Sequence, residues 1–215
     1  MVGFRGIVVA AFVFSGGCGD FATNPIGNKG ADAGTEPDAS GSGASLVFTF
    51  STRPTLPDSV DGDDRPILTD ARFVVKDFRV IGDSSDGEDT SIRELTLVWD
   101  DVSSPEDLRF SRAPTGNYST ILGEVSAFEF HGTVMGSDGR QPFRIVDESA
   151  RISMRESIDV RLDPETTERV EVKLDLRDLV DDVKWEDVDP VDGVLLLDES
   201  AEEFEEVVDE LEEIF

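Results

Sequence analysis

VEVKLDL, residues 170–176, sets apolar Val170, Val172, Leu174 and Leu176 at every second position, with Glu171, Lys173 and Asp175 between them. A period of two is the signature of an extended chain with one face buried and the other in water. The same rhythm runs back toward the N-terminus through Ile158, Val160 and Leu162, through Ile152 and Met154, and through Phe143 and Ile145. It recurs in Phe128, Phe130 and Val134, opposite Glu129, His131 and Thr133, then in Leu95, Leu97 and Trp99, and finally in Leu46, Phe48 and Phe50. Between Ala71 and Ile81, Phe73 and Val75 share one parity while Phe78 and Val80 share the other, which predicts a bulge at Lys76 and Asp77. Three prolines and the acidic run Asp61, Asp63, Asp64 mark Arg53 to Pro66 as a long loop. GDSSDGEDT, residues 82–90, reads as a polar turn, and Leu108 and Phe110 sit in a further loop. Ala113 to Val125 holds a turn from which Tyr118 opens a strand of its own. Seven or more short strands at spacings of about 8–12 residues predict a mainly β fold, a single antiparallel β-sandwich over residues 46–197.

The C-terminus has a different composition. From Asp178 to Phe215 there are 17 acidic residues against one basic, Lys184, so this stretch holds −16 of the chain's net charge of −29. Leu179, Val180, Val183 and Trp185 suggest a short helical turn, and Val194 to Leu197 a last apolar strand. Ser200 followed by Glu203 has the spacing of a capping box. The acidic amphipathic helix expected over residues 198–215 lines up Phe204, Val207, Val208, Leu211 and Ile214. A helix of about 16 residues is marginal alone, and Glu202/Glu206, Glu205/Asp209 and Asp209/Glu213 repel one another one turn apart. Packing must therefore hold it, against an open face of its own sandwich or against another protein.

At the other end, the apolar run from Ile7 to Phe14 follows Arg5 and precedes Ser15, Gly16, Gly17 and Cys18, the only cysteine. A membrane-spanning helix needs about 20 residues, so the run fits the core of a cleaved export signal over residues 1–17. The segment resembles bacterial lipoprotein signals: Gly16, Gly17 and Cys18 match the last three positions of the lipobox, with Ser15 where a branched apolar residue is usual. That resemblance implies a thioether-linked diacylglycerol on Cys18 and usually a further N-acyl chain. With Gly19 next in the chain, it also implies residence at the outer membrane of a Gram-negative bacterium. Two or more chains anchor stably where one binds only marginally. The residues also allow an ordinary secretory signal cut near Gly17 or Gly19, leaving a free thiol, or an uncleaved leader. One cysteine makes no disulfide framework, so core packing must stabilise the domain. Residues 18–45, almost without apolar side chains after Ile26, read as a disordered tether with a reach of about 30 Å.

Pro114, Gly116 and Tyr118, in the turn PTGNY, carry a second resemblance. Residues 71–185 are similar to a group of bacterial lipoprotein sandwich domains in which a Pro-x-Gly-x-Tyr turn leads a central strand. The resemblance implies a transthyretin-like fold, or a carbohydrate-binding-like one; an Ig-like sandwich is the other form the strand pattern suits. The group has no agreed activity, so no functional residues follow from it.

His131 is the only histidine and lies on the polar parity of its strand. Without a second histidine or a cysteine in the domain, zinc and copper sites of ordinary composition are not expected. A Ser-His-Asp triad would have to use His131, and no Gly-x-Ser-x-Gly elbow accompanies it. Asp61, Asp63 and Asp64, and Asp83, Asp86, Glu88 and Asp89, offer hard oxygen ligands, which makes them weak calcium candidates. Their spacing lacks the terminal bidentate Glu of a calcium loop, and solvated turns explain them as well. Trp99, Trp185 and Tyr118 form either a ligand-stacking platform or part of the core. A charge of −29, with no contiguous basic run, repels nucleic acid. The expectation is a membrane-anchored, non-enzymatic structural or binding domain of the cell envelope without a cofactor. The alternatives are a carbohydrate- or protein-binding module, and an exported hydrolase built on His131 or on paired carboxylates.

Overall fold

The computed structural model describes residues 8–13, 43–56, 65–83, 89–137 and 139–215. Along them run β1 (Val8–Val13), β2 (Ser45–Arg53), β3 (Ile67–Gly82), β4 (Asp89–Trp99), β5 (Leu108–Ser111), β6 (Gly116–Gly136), β7 (Gly139–Asp147), β8 (Ile152–Leu162), β9 (Thr167–Asp175), β10 (Pro190–Val191) and β11 (Val194–Leu197). A 3-10 turn at Trp185–Asp187 and one helix, α1 (Phe204–Ile214), complete the set. The strands form two sheets. The smaller has the order β1-β9-β2-β5; the larger has the order β10-β11-β7-β6-β3-β4, with β8 also paired to β6.

The chain is mainly β, a sandwich-like pair of sheets with one C-terminal helix, as the alternation predicts. Both sheets are mixed rather than purely antiparallel, because β2 runs parallel to β9 and β11 parallel to β7. Neither pair is joined by a hairpin; each closes over a long stretch of intervening chain, so no tight turn imposes the antiparallel sense. Tyr118 does not open a separate strand. β6 runs unbroken for 21 residues, and a register shift at Ser126 carries the inward parity from Val125 to Phe128. The stretch with Leu108 and Phe110 is a short strand on β2 rather than a loop. The bulge at Lys76 and Asp77 is present, with Asp77 at φ 49° and a one-residue slip against β6.

The core lies between the inner faces. Phe48 and Phe50 of the smaller sheet meet Phe78 of the larger with ring centroids 5.5 and 6.1 Å apart. Four strands do not cover the whole inner face of the larger sheet, and the C-terminal segment takes the remainder. Phe204 stacks on Phe128 at 6.0 Å, Phe215 meets Phe73 edge-on at 5.6 Å, and the Arg155 N–H donates to the Phe215 carbonyl. Phe204, Val207, Leu211 and Ile214 are buried and Val208 partly so, which settles the partner of the helix as its own domain. The capping box does not form. The Ser200 hydroxyl donates to Asp198 at 2.6 Å, and the helix begins at Phe204 with no side-chain cap.

Cys18, Phe14 and the tether up to residue 42 lie outside the described residues, as do Asp61, Asp63, Asp64, Asp86 and Glu88. The apolar run near the N-terminus contributes Val8–Val13 as an edge strand, antiparallel to β9, with Val9 opposite Val172 and Ala11 opposite Val170. Valine-rich segments suit a pleated edge, so a run with the composition of an export signal also has a partner within this chain.

Next along that strand, Glu168 is buried on the core side of β9. Burial, and then the charge of Asp163, push its carboxyl up. A raised carboxyl holds its proton more tightly folded than unfolded. Ionised Glu168 thus costs stability that is absent in acid and appears as pH rises past the unfolded value of about 4.3. Glu168→Gln is expected to raise the melting temperature at pH 7, with the gain fading below about pH 4. An unchanged melting temperature at pH 7 would contradict this.

Candidate anion-binding cleft

At the end of the sandwich where β2 and β9 both terminate, parallel pairing sets Arg53 opposite Asp175, and the Leu176 N–H donates to the Arg53 carbonyl at 2.7 Å. Arg177, two residues past Asp175, grips its carboxylate with both arms of the guanidinium, Nε to Oδ1 at 2.7 Å and Nη2 to Oδ2 at 2.6 Å. Arg65 arrives from the start of β3, and Arg140 reaches the Arg65 carbonyl from β7 at 3.4 Å. Arg53, Arg65 and Arg177 line a cleft of about 180 Å³ together with Pro54, Pro66, Leu68, Leu176 and Val180. Leu68, Leu176 and Val180 are buried and make an apolar floor.

The electrostatics follow from these contacts. The Arg177 hydrogen bonds, and then the charges of Arg177 and Arg53, hold the Asp175 carboxyl below its usual range. Asp175, with Asp178 nearby, raises Arg177 in return. Among the described residues, Arg53, Arg65 and Arg177 are the charged side chains that line the cleft, and Asp175 is held by Arg177. Arginine forks match carboxylates and phosphates two bonds at a time, and an apolar floor weakens competing hydration. The cleft is smaller than the roughly 300–1,000 Å³ of sites for drug-sized molecules, so it suits one acidic group with a ring or short chain behind it.

Those residues singled out in the sequence that the structure describes lie elsewhere. Trp99, Trp185 and Tyr118 are 4%, 9% and 2% exposed, so they are core residues and offer no stacking platform. Trp185 lies on Phe143 with centroids 4.4 Å apart and donates Nε1–H to the Val180 carbonyl; Trp99 meets Phe73 edge-on. The Tyr118 hydroxyl donates to the Pro114 carbonyl at 2.6 Å, and Gly116 takes φ 150°. The Pro-x-Gly-x-Tyr turn is therefore a staple: the tyrosine ties the strand back to the turn that precedes it.

His131 stands on the outer face of the larger sheet, its Nε2 2.9 Å from Glu129 Oε1, which also accepts from Arg144 Nε at 2.7 Å. The hydrogen bond to His131, then Arg144, lowers the Glu129 carboxyl against a smaller opposing effect of burial. An open depression of about 150 Å³ joins His131 to Asp70, Arg72, Asp100 and Glu129. No serine, threonine or cysteine lines it, so the described residues assemble no Ser-His-Asp triad there.

Of the calcium candidates, the Asp83 carboxylate accepts from the backbone and side-chain N–H groups of Asn117, both at 2.6 Å. These bonds lower its pKa and tie the residue that follows β3 to the start of β6. Asp89 begins β4. Among the described residues no three His, Cys, Asp or Glu side chains are grouped to hold a metal ion, and no helix is long and apolar enough to cross a membrane.

The arginine cleft was not legible from the sequence. Arg53 and Arg65 flank one loop, but Arg177 is more than a hundred residues further on, and only the parallel β2–β9 pairing brings it to them. The available signal was weak: basic residues flanking prolines at strand ends in an acidic chain. The chain matches no family model, no curated protein and no solved structure.

Proposed function

We propose that this chain is a non-enzymatic binding domain of the cell envelope, held to a membrane through lipid on Cys18, which takes a carboxylate-bearing ligand in the arginine cleft. The ligand assignment rests on one observation: Arg53, Arg65 and Arg177 converge over an apolar floor in a chain of net charge −29. The charged side chains lining the cleft among the described residues are all basic, and such a lining concentrates ligands of negative charge. Its size favours a single acidic sugar residue, such as a uronic acid of an envelope glycan.

Calorimetric titration with short oligogalacturonates, and with the neutral galactose oligomers as control, tests the reading. The acidic oligomer is expected to bind and the neutral one not. Arg53→Gln should weaken binding about tenfold, the equivalent of one charge-assisted contact of about 1.4 kcal/mol, and added salt should weaken it further. Equal binding of both oligomers, or none of either, would overturn the assignment.

The anchor is supported by the apolar run ahead of Ser15, Gly16, Gly17 and Cys18, and the outer membrane by Gly19. Intact mass of the exported protein tests both cleavage and lipid. An acylated Cys18 at the N-terminus is expected; an unmodified thiol, or protein free in the culture medium, contradicts it.

A further inference from the structure

We infer that in the mature chain, beginning at Cys18, the edge of β9 seen here against Val8–Val13 is taken by β9 of a second copy. The inference rests on the lipoprotein reading above, because cleavage before Cys18 removes β1. Six register pairs from Val8↔Lys173 to Val13↔Glu168 show that this side of β9 accepts an antiparallel strand over most of its length. Removing β1 leaves those backbone groups without partners, and a bare edge of this length is a template for another strand.

The side chains of β9 select which strand. Its outward positions alternate in sign as Arg169, Glu171, Lys173 and Asp175, and its inward positions are Glu168, Val170, Val172 and Leu174. Antiparallel self-pairing centred on Val172 sets Glu171 opposite Lys173 and Arg169 opposite Asp175, each twice by symmetry. On the inner face the same register sets Val170 opposite Leu174 and leaves Glu168 at the strand's end, opposite Leu176. Registers centred one residue to either side place Glu171 or Lys173 against its own copy, which repels. Arg169 and Asp175 already contact Asp107 and Arg177 in their own chain, so the new pairs extend existing networks. Cross-strand pairs of opposite charge stabilise, and like pairs destabilise. The result is a two-fold, self-complementary interface, joining β5-β2-β9 of each copy into one continuous six-stranded sheet.

Residues 18–215 carry β2 to α1 and the core cluster from Ala44 to Phe215. Sedimentation of residues 18–215 carrying Cys18→Ser, which excludes disulfide dimers, tests the interface. A reversible dimer is expected. Lys173→Glu and Glu171→Lys should each weaken it at least about tenfold, and the double variant should restore it. A monomer throughout, or a double variant no tighter than the single ones, overturns the inference. If residues 18–215 do not fold, the full chain with Val9→Pro and Ala11→Pro serves instead, because proline cannot donate to the ladder and unseats β1; a monomer there overturns the inference equally. Intact mass of the exported protein reads the cleavage separately: retention of Val8–Val13 removes the lipoprotein reading and the open edge with it, whereas cleavage combined with a monomer defeats only the interface.

Discussion

Removal of residues 200–215 is expected to unfold the domain, or to lower its melting temperature by more than about 10 °C. The segment carries Phe204, Val207, Leu211 and Ile214, all buried, and with Phe215 it covers the rings of Phe128 and Phe73. Without it those rings lose their cover on the inner side of the larger sheet. Phe204→Ala alone should cost about 3–5 kcal/mol, the usual range for truncating a buried phenylalanine. Glu205→Gln, on the exposed face of the same helix, should change stability by less than about 0.5 kcal/mol. Urea titration of the three proteins provides the check. A truncated domain that melts like the full chain would mean that the helix adds nothing to the sandwich and that its apolar stripe serves another protein.

Among the described glycines, Gly132→Ala should be the most damaging change, at about 3 kcal/mol or more, or roughly 6–12 °C in melting temperature. Gly132 lies in β6 between β3 and β7. A Cβ there would sit far inside van der Waals contact of both the Ile67 carbonyl oxygen and the Phe143 ring. The first is backbone, and the second is wedged against Trp185, so neither yields without parting strands. The reason is space and not torsion, since Gly132 is absent from the glycines of positive φ. Gly123→Ala makes the comparison: its nearest neighbour is the terminal methyl of Met154 at 2.8 Å, with Val75 next at 3.1 Å, and a methionine end moves easily. The smaller loss at Gly123, read by thermal melting of both variants, separates a rigid obstruction from a pliable one.

Local regularities were legible in the sequence because each is written in neighbouring residues. Alternation placed most of the strands. The change of parity between Val75 and Phe78 located the bulge, and the stripe from Phe204 to Ile214 located the helix. Pairing across long stretches was not legible. Nothing near Ser45–Arg53 states that it runs parallel to Thr167–Asp175, and without that register Arg53 and Arg177 have no reason to be considered together. Ambiguities of face went the same way: Trp99 and Tyr118 alternate as core residues and as a platform would, and only the packing distinguishes them. The capping box at Ser200 failed through competition, since Asp198 two residues earlier takes the serine hydroxyl before any helical N–H can.

The cleft at the ends of β2 and β9 carries the functional account, and side-chain NMR of nitrogen-15-labelled arginine tests it most directly. On titration with trigalacturonate, the Nε–H resonances of Arg53 and Arg177 should shift together and saturate, while those of Arg144 and Arg161, on the outer face of the larger sheet and beside Asp163, stay in place. Shifts spread evenly over all arginines, or confined to residues outside the cleft, would contradict it.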